Sequence, residues 1–381
     1  MAYEGGDGVQ LSGPTPESRL LDTLRRRAAA PGLRFASSPV RVTGGFWAEI
    51  WAVRLEGGGP DMDGDVIVRV MPDNVVARRE MVVQSEVVRQ GFSAPRVRLT
   101  GEAADGLGRP FMVMDRAPGL PPIPAVTGVT AMAAIGRAAI RLPDLMARTS
   151  ARLHALDPAP LRSKLEGLDD ALVDVGDLLS LLAIRAAEAD RPDLERAART
   201  MPGARPPSER EAICHGDLHP FNLLVDGERV TVIDWSLGLV ADPAFDLAFT
   251  ALTMSMAPID IPRAVRRPVR AAARQGARQF LRRYRQLSPG AETSLTDDML
   301  QWYSAVPASP RRAGRVDRSR DRERPGRSPV AGDGPANGGA PDRGCRPPRA
   351  PDVMMGHGLT CLRRQHPPAR DRCRLWAHRQ S

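Results

Sequence analysis

Residues 211–235 break a helical pattern with a short polar run, His215–Asn222 (HGDLHPFN), followed by two brief β-type runs, Leu223–Val225 and Val230–Ile233, with Asp226-Gly227 between them. Asp-Gly between apolar runs is a strong hairpin signal, because the turns that match strand twist need positive φ at their central residues. A hairpin returns the chain to its starting point. Asp234, just past the second run, is therefore predicted to stand beside Asn222, just before the first, with Asp217 five residues upstream on the same loop.

The rest of the chain supplies a frame for this loop. Leu20, Leu21 and Leu24 sit at helical spacing behind Thr15-Pro16-Glu17, which predicts a short amphipathic helix ending before Pro31-Gly32. Strand-like runs at Val40–Val42 and Ile50–Leu55 flank Thr43-Gly44-Gly45-Phe46, and Asp65–Val70 follows. A helix over Ala77–Gln90 ends at Gly91, and Pro95–Thr100 and Arg109–Met114 add further strands. Beyond Pro118-Gly119 helical spacing dominates, over 130–155, about 168–200, 244–256, 264–286 and 297–305. The expected class is α+β: an N-terminal extension (1–34), a small antiparallel-sheet lobe (35–117), an α-rich lobe (118–306) and a tail (307–381).

At 381 residues the chain is long enough for two packed lobes. Its net charge of +9 suggests a polyanionic partner until the charge is located. Residues 307–381 hold 17 Arg against 7 acids, so the remainder is close to neutral and no specific nucleic-acid partner is expected. The apolar pattern stops at Pro307, and the tail reads either as a disordered extension or as a change of reading frame. Cys345, Cys361 and Cys373 fall in the tail at spacings that fit neither a disulfide framework nor a zinc site, leaving Cys214 in the core and a reduced, cytoplasmic setting as the expectation. Neither a signal peptide nor an apolar run of about 18 residues is evident, so no membrane span is expected.

Phosphoryl transfer asks little covalent chemistry of a protein. It needs a carboxylate to take the hydroxyl proton and hard oxygen ligands for Mg²⁺ on the nucleotide phosphates. Asp217 fits the first role and Asn222 with Asp234 the second, at the spacing of the kinase loop H-x-D-L-x-x-x-N. Around these residues the chain resembles the aminoglycoside phosphotransferase and choline kinase family, through His215–Leu224 (HGDLHPFNLL), Ile233–Trp235 (IDW) and Asp242–Ala248 (DPAFDLA), three linked motifs in order. A weaker likeness runs from about residue 35 to about 305, including Leu153–Leu156 and Ala94-Pro95, and omits the tail. The resemblance implies a two-lobed protein-kinase-like fold, Asp217 as base, Asn222 and Asp234 as metal ligands, ATP and Mg²⁺ as cofactors, and a small hydroxyl-bearing acceptor. It spans several acceptor types and singles out no antibiotic.

Other roles follow with it. Gly44, Gly45 and Phe46 lie between strands where backbone N–H groups would cover phosphates, although they fall short of G-x-G-x-x-G. The place of the usual third-strand Lys is taken by Arg69, since Lys164, the one lysine of the chain, lies in the other lobe. Arg keeps the charge with a different geometry. Glu80 is its expected partner, ahead of Glu86, and Met114 to Ala117 reads as the hinge backbone that meets adenine. Asp242 is expected to cap a helix and Asp246 to hydrogen-bond back to the loop. His154 is expected to pack or cap, and Cys214 to be a small buried residue.

Two other function classes compete. A metal hydrolase would take His215, Asp217 and His219 as ligands, leaving Asn222 and Asp234 without a role. A catalytically impaired nucleotide-binding relative would lack part of its acceptor site where the pattern breaks near Pro307. Asp169, Asp170 and Asp174 would suit a polycationic acceptor, though acids on a helix usually form its solvated face.

Overall fold

Residues Glu49–Glu56 (β3) turn Trp51, Val53 and Leu55 inward, and Gly64–Val70 (β4) turns Val66, Val68 and Val70 the same way, as half-buried strands should. The two pair antiparallel from Glu49↔Val70 to Leu55↔Gly64. The structure, a computed structural model, describes residues 15–42, 48–123, 129–168, 172–208, 210–255, 266–291 and 295–306, all within one unit, Met1–Val316. Gly44, Gly45, Phe46, Asp169, Asp170 and the tail lie outside the described residues.

Four more strands complete the sheet: Arg34–Phe35 (β1), Val40–Val42 (β2), Val97–Gly101 (β5) and Phe111–Asp115 (β6). Their order is β1-β3-β4-β6-β5, with β2 also on β3. Period-two alternation gives this sheet two distinct faces. Against one, Leu20 and Leu24 of helix Pro16–Arg27 (α1) pack with Trp51, Val53, Val66, Val68 and Phe111. Against the other, helix Asn74–Arg89 (α2) sets Ala77 beside Met112, Met114 and Ile67. Arg69, between Val68 and Val70, points to this second face, toward α2.

Past β6 the chain is mainly helical: Val129–Leu153 (α3), Ala159–Glu166 (α4), Val175–Glu188 (α5), Pro192–Thr200 (α6), Ala244–Ser255 (α7), Arg266–Leu287 (α8) and Asp297–Ala305 (α9). Met146, Leu153, Leu161, Leu179, Trp235, Phe280 and Tyr284 belong to one core cluster here. Two small antiparallel pairs interrupt the helices, Ala212–Cys214 (β7) with Leu239–Ala241 (β10) and Leu223–Asp226 (β8) with Arg229–Val232 (β9). The second pair is the expected hairpin, with Asp226 opposite Arg229 and Gly227 at φ +59°. Where the chain crosses from sheet to helices, Leu120 exchanges two backbone hydrogen bonds with Val225 (3.1 and 2.8 Å), tying the crossing to the hairpin.

Several elements differ from expectation. α2 starts at Asn74 because the Asp73 carboxylate caps it, accepting from the Val76 N–H at 2.9 Å. The single helical stretch expected over 168–200 is two helices, parted at Asp190 (φ +51°), with Pro192 opening the second. Asp174 caps α5 in a reciprocal box with Asp177, which accounts for an acid weighed as an acceptor contact. β1, β10 and α4 are too short for periodicity to reveal. Among the described residues, no helix is long and apolar enough to cross a membrane.

Candidate active site

The polar loop between β7 and β8 hangs from a buried carboxylate. Asp246, in the first turn of α7 and fully buried, accepts the backbone N–H of His215 and of Gly216, each at 2.7 Å. His154 Nε2 lies 3.2 Å from the same carboxylate, and its Nδ1 is 2.9 Å from the Tyr284 hydroxyl. Burial pushes the Asp246 carboxyl up, but the hydrogen bonds it accepts from the His154 ring and the His215 backbone N–H outweigh that and hold it below its ordinary value. The loop is thus suspended from an ionised group at a helix N-terminus.

His215 is a strut. The Asp217 N–H donates to its Nδ1 (3.2 Å), so the proton sits on Nε2, which donates to the Ile233 carbonyl (3.0 Å), and the ring lies against Trp235. Both nitrogens are engaged with backbone and the side chain is fully buried. No lone pair remains for a metal, so the ligand set His215, Asp217 and His219 is not assembled.

The hairpin does bring Asn222 and Asp234 to one end, since the Ile233 N–H donates to the Asn222 carbonyl at 3.0 Å. Asn222 Nδ2 donates to the Asp217 backbone carbonyl (2.9 Å), which leaves its amide oxygen as the atom it presents to a ligand. Asp217 and Asn222 are each 7% exposed, and His219 Nε2 approaches Asp217 Oδ1 at 3.7 Å. Asp234 adopts φ +65°, and its Oδ1 accepts from the Ser236 hydroxyl and from Arg69 Nη2, both at 2.8 Å. Arg69 Nη1 meets Glu80 Oε1 at 2.8 Å. One buried guanidinium therefore links β4, α2 and the hairpin end. Burial opposes its charge, but Glu80 and Asp234 prevail and raise its pKa further. A carboxylate and an amide side chain carried on one hairpin end offer hard oxygen donors of the kind that fits Mg²⁺, which retains several waters and takes one or two carboxylates.

The remaining expected residues fall as follows. Glu86 does not approach Arg69: it pairs with Arg89 (2.6 Å) and with Lys164 of α4 (2.6 Å). Met114 pairs across the sheet with both Ile67 and Val97, and the Arg116 N–H still donates to the Asp65 carbonyl, so the backbone leaves the sheet at Ala117. Asp242 caps α7, accepting from the Ala244 N–H at 2.7 Å. Among the described residues, His154, Cys214 and Asp246 bring potential ligand atoms within 4.8 Å of one another. Burial raises the Cys214 thiol well above its ordinary pKa, and the other two are already hydrogen-bonded, so this is a structural cluster.

The model of the phosphotransferase enzyme family matches residues 40–291. The chain belongs to that family. In this phosphotransferase-family chain the loop, the hairpin and Arg69 all lie inside the matched span. Its fold is the two-lobed protein-kinase-like one. Similar structures include an aminoglycoside-3'-phosphotransferase of type VIII (TM-score 0.53, 21% identity, covering 76% of this chain and 98% of that one). Aminoglycoside phosphotransferase APH(3'')-Id from Streptomyces rimosus is another (TM-score 0.51, 20% identity, 77% and 98%). A curated relative, acyl-CoA dehydrogenase family member 10 of Mus musculus, is 25% identical over 191 residues, which are 48% of this chain and 17% of that protein's length.

Two residues of the site escaped the sequence reading. Ser236 follows the Ile233-Asp234-Trp235 motif directly and bonds Asp234, and that adjacency is its one signal in the sequence. Arg79, in Arg78-Arg79-Glu80, reads as a surface charge yet is 3% exposed and donates to the Ser236 carbonyl. No periodicity separates it from its exposed neighbour Arg78.

Proposed function

We propose that this chain transfers the γ-phosphoryl group of ATP to a hydroxyl of a small molecule, with Asp217 as the base and Asn222 and Asp234 as the Mg²⁺ ligands. The observation that carries this reading is the meeting at the hairpin end: Ile233 bonded back to Asn222, and Asp234 beside an Arg69–Glu80 pair. Bound Mg²⁺ would neutralise phosphate charge. Asn222 and Asp234 would hold it, Arg69 would place a permanent positive charge on the nucleotide side, and Glu80 keeps that charge oriented. Asp217, anchored through His215 and Asn222, accepts the acceptor's proton. The exit at Ala117, next to Met114, would meet the adenine edge, and Gly44, Gly45 and Phe46 would close over the phosphates. In this reading the lobes divide after Ala117, at 35–117 and 118–306, and the protein works in the cytoplasm, where ATP is at hand and a free thiol such as Cys214 persists.

The similar structures named for aminoglycosides are 20–21% identical and support the fold alone, so the acceptor is assigned only as a hydroxyl-bearing small molecule. The alternative, an impaired nucleotide-binding relative, draws on one observation: Arg69 occupies the Asp234 oxygen that a metal would share. Thermal shift with ATP, with and without Mg²⁺, on the full chain and on Asp234→Ala tests the site. A Mg²⁺-dependent rise in melting temperature that the variant loses is the expected result; equal shifts in both proteins would remove Asp234 from the metal site. Turnover with a panel of small alcohols separates enzyme from impaired relative.

A further inference from the structure

Arg79 lies on α2, one residue before Glu80, in a place where an aliphatic side chain would pack without desolvating a charge. Its guanidinium is instead carried into the interior and donates through Nη2 to the Ser236 carbonyl. Ser236 in turn donates its hydroxyl to Asp234 Oδ1 at 2.8 Å. Between the two, Trp235 is fully buried and edge-on to Phe92, just beyond the end of α2, with ring centroids 5.8 Å apart. One turn along α2 from Arg79, Val83 closes on Gly238 so tightly that a Cβ there would come within 2.5 Å of Val83 Cγ1. The α2 segment thus grips residues 234–238 at three successive points, and the polar one is Arg79. Burial brings the Arg79 pKa down to about 10, against the opposing pull of Glu80 and Asp73, so it remains a cation at neutral pH.

We infer that Arg79 is a positioning residue for the metal site: by fixing the Ser236 carbonyl it sets the Ser236 hydroxyl and the positive-φ backbone of Asp234, and so couples the placement of α2 to the orientation of the Asp234 carboxylate. Arg69 reaches Asp234 directly and serves the same carboxylate from β4. Arg79 acts one step removed. This rests on the reading of Asp234 as a Mg²⁺ ligand. Losing an outer partner that orients a metal ligand typically weakens metal binding roughly 10–100-fold.

The test uses the full chain and a non-hydrolysable ATP analogue, with its dissociation constant measured by calorimetry with and without Mg²⁺. The ratio of the Mg²⁺-free constant to the constant with Mg²⁺ is compared in wild type, Arg79→Met, Arg79→Lys and Leu20→Ala, the last being a core truncation under α1, away from the loop. Expected is a ratio at least about tenfold smaller in Arg79→Met, an intermediate value in Arg79→Lys, and an unchanged ratio in Leu20→Ala. A wild-type ratio in Arg79→Met overturns the inference, and so does an equal loss in Leu20→Ala, which would mark general destabilisation. Should Arg79→Met fail to fold, Arg79→Lys decides: a reduced ratio supports the inference and an unchanged one overturns it. A wild-type ratio of one is a different failure, because it removes the reading of Asp234 itself.

Discussion

Asp217 and Asp234 are two acids of one motif with different attachments. Asn222 holds Asp217 through its backbone carbonyl, not through its carboxylate, so a change confined to that side chain leaves the loop anchored. Asp217→Asn is therefore expected to retain the wild-type melting temperature and nucleotide affinity while kcat falls roughly 10²–10⁴-fold, the range of a positioned base. Steady-state kinetics beside analogue binding checks this, and a kcat within a few fold of wild type would place the base elsewhere. His215 and His219 diverge in the same way: sequence adjacency suggests like roles, but His215 is enclosed between two backbone partners, whereas His219 keeps a quarter of its side chain exposed beside Asp217.

At the scale of elements, two turns with similar sequence signals carry different loads. Gly227 sits at φ +59° in the β8–β9 turn with nothing within 4 Å of where a Cβ would project. Replacing it by Ala should cost roughly 1–2 kcal/mol of conformational strain and little else. Gly216 also has positive φ (+76°), but a Cβ there would come within 2.4 Å of the Leu237 carbonyl oxygen, a backbone atom that cannot swing aside. Gly216→Ala is expected to exceed Gly227→Ala in destabilisation and to lower activity too, because the loop must shift away from Asp246 to relieve the clash. Denaturant midpoints and kcat of both variants read this out. Equal stability losses would mean that the loop yields more readily than its hydrogen bonds suggest.

Across the whole molecule, Glu86 joins the sheet lobe to the helical one. It is fully buried, and hydrogen bonding from Arg89, helped by Lys164 and Gln90 and opposed by burial, holds its carboxyl down at about 2, from an ordinary 4.5. A group whose folded pKa is depressed stabilises the fold above its unfolded value and loses that contribution as pH falls through the folded one. The stability difference between wild type and Glu86→Gln should hold steady above about pH 5 and shrink between about pH 4.5 and pH 2. Unfolding curves at stepped pH measure it. A gap that stays constant down to pH 3 would show that the pair contributes packing and not charge.

The polar loop, the hairpin and most of the sheet strands were legible in the sequence, because each rests on signals that act within a few residues: Asp-Gly turns, period-two alternation, apolar spacing on a helix. The loop composition also pointed to Asp217, Asn222 and Asp234, since a hairpin fixes which residues share an end. Local signals placed Glu80 ahead of Glu86 for Arg69 and turned Asp246 back to the loop, as the structure has them, but could not distinguish Arg78 from Arg79 or supply the contacts that hold these groups. Those are decided by which face of α2 meets β4 and the 234–238 segment, and by the approach of α7 to β7. A charged side chain buried by contacts some 160 residues away along the chain looks, in sequence, the same as one left in water; only the packing of distant elements sets the desolvation and the partners that separate them.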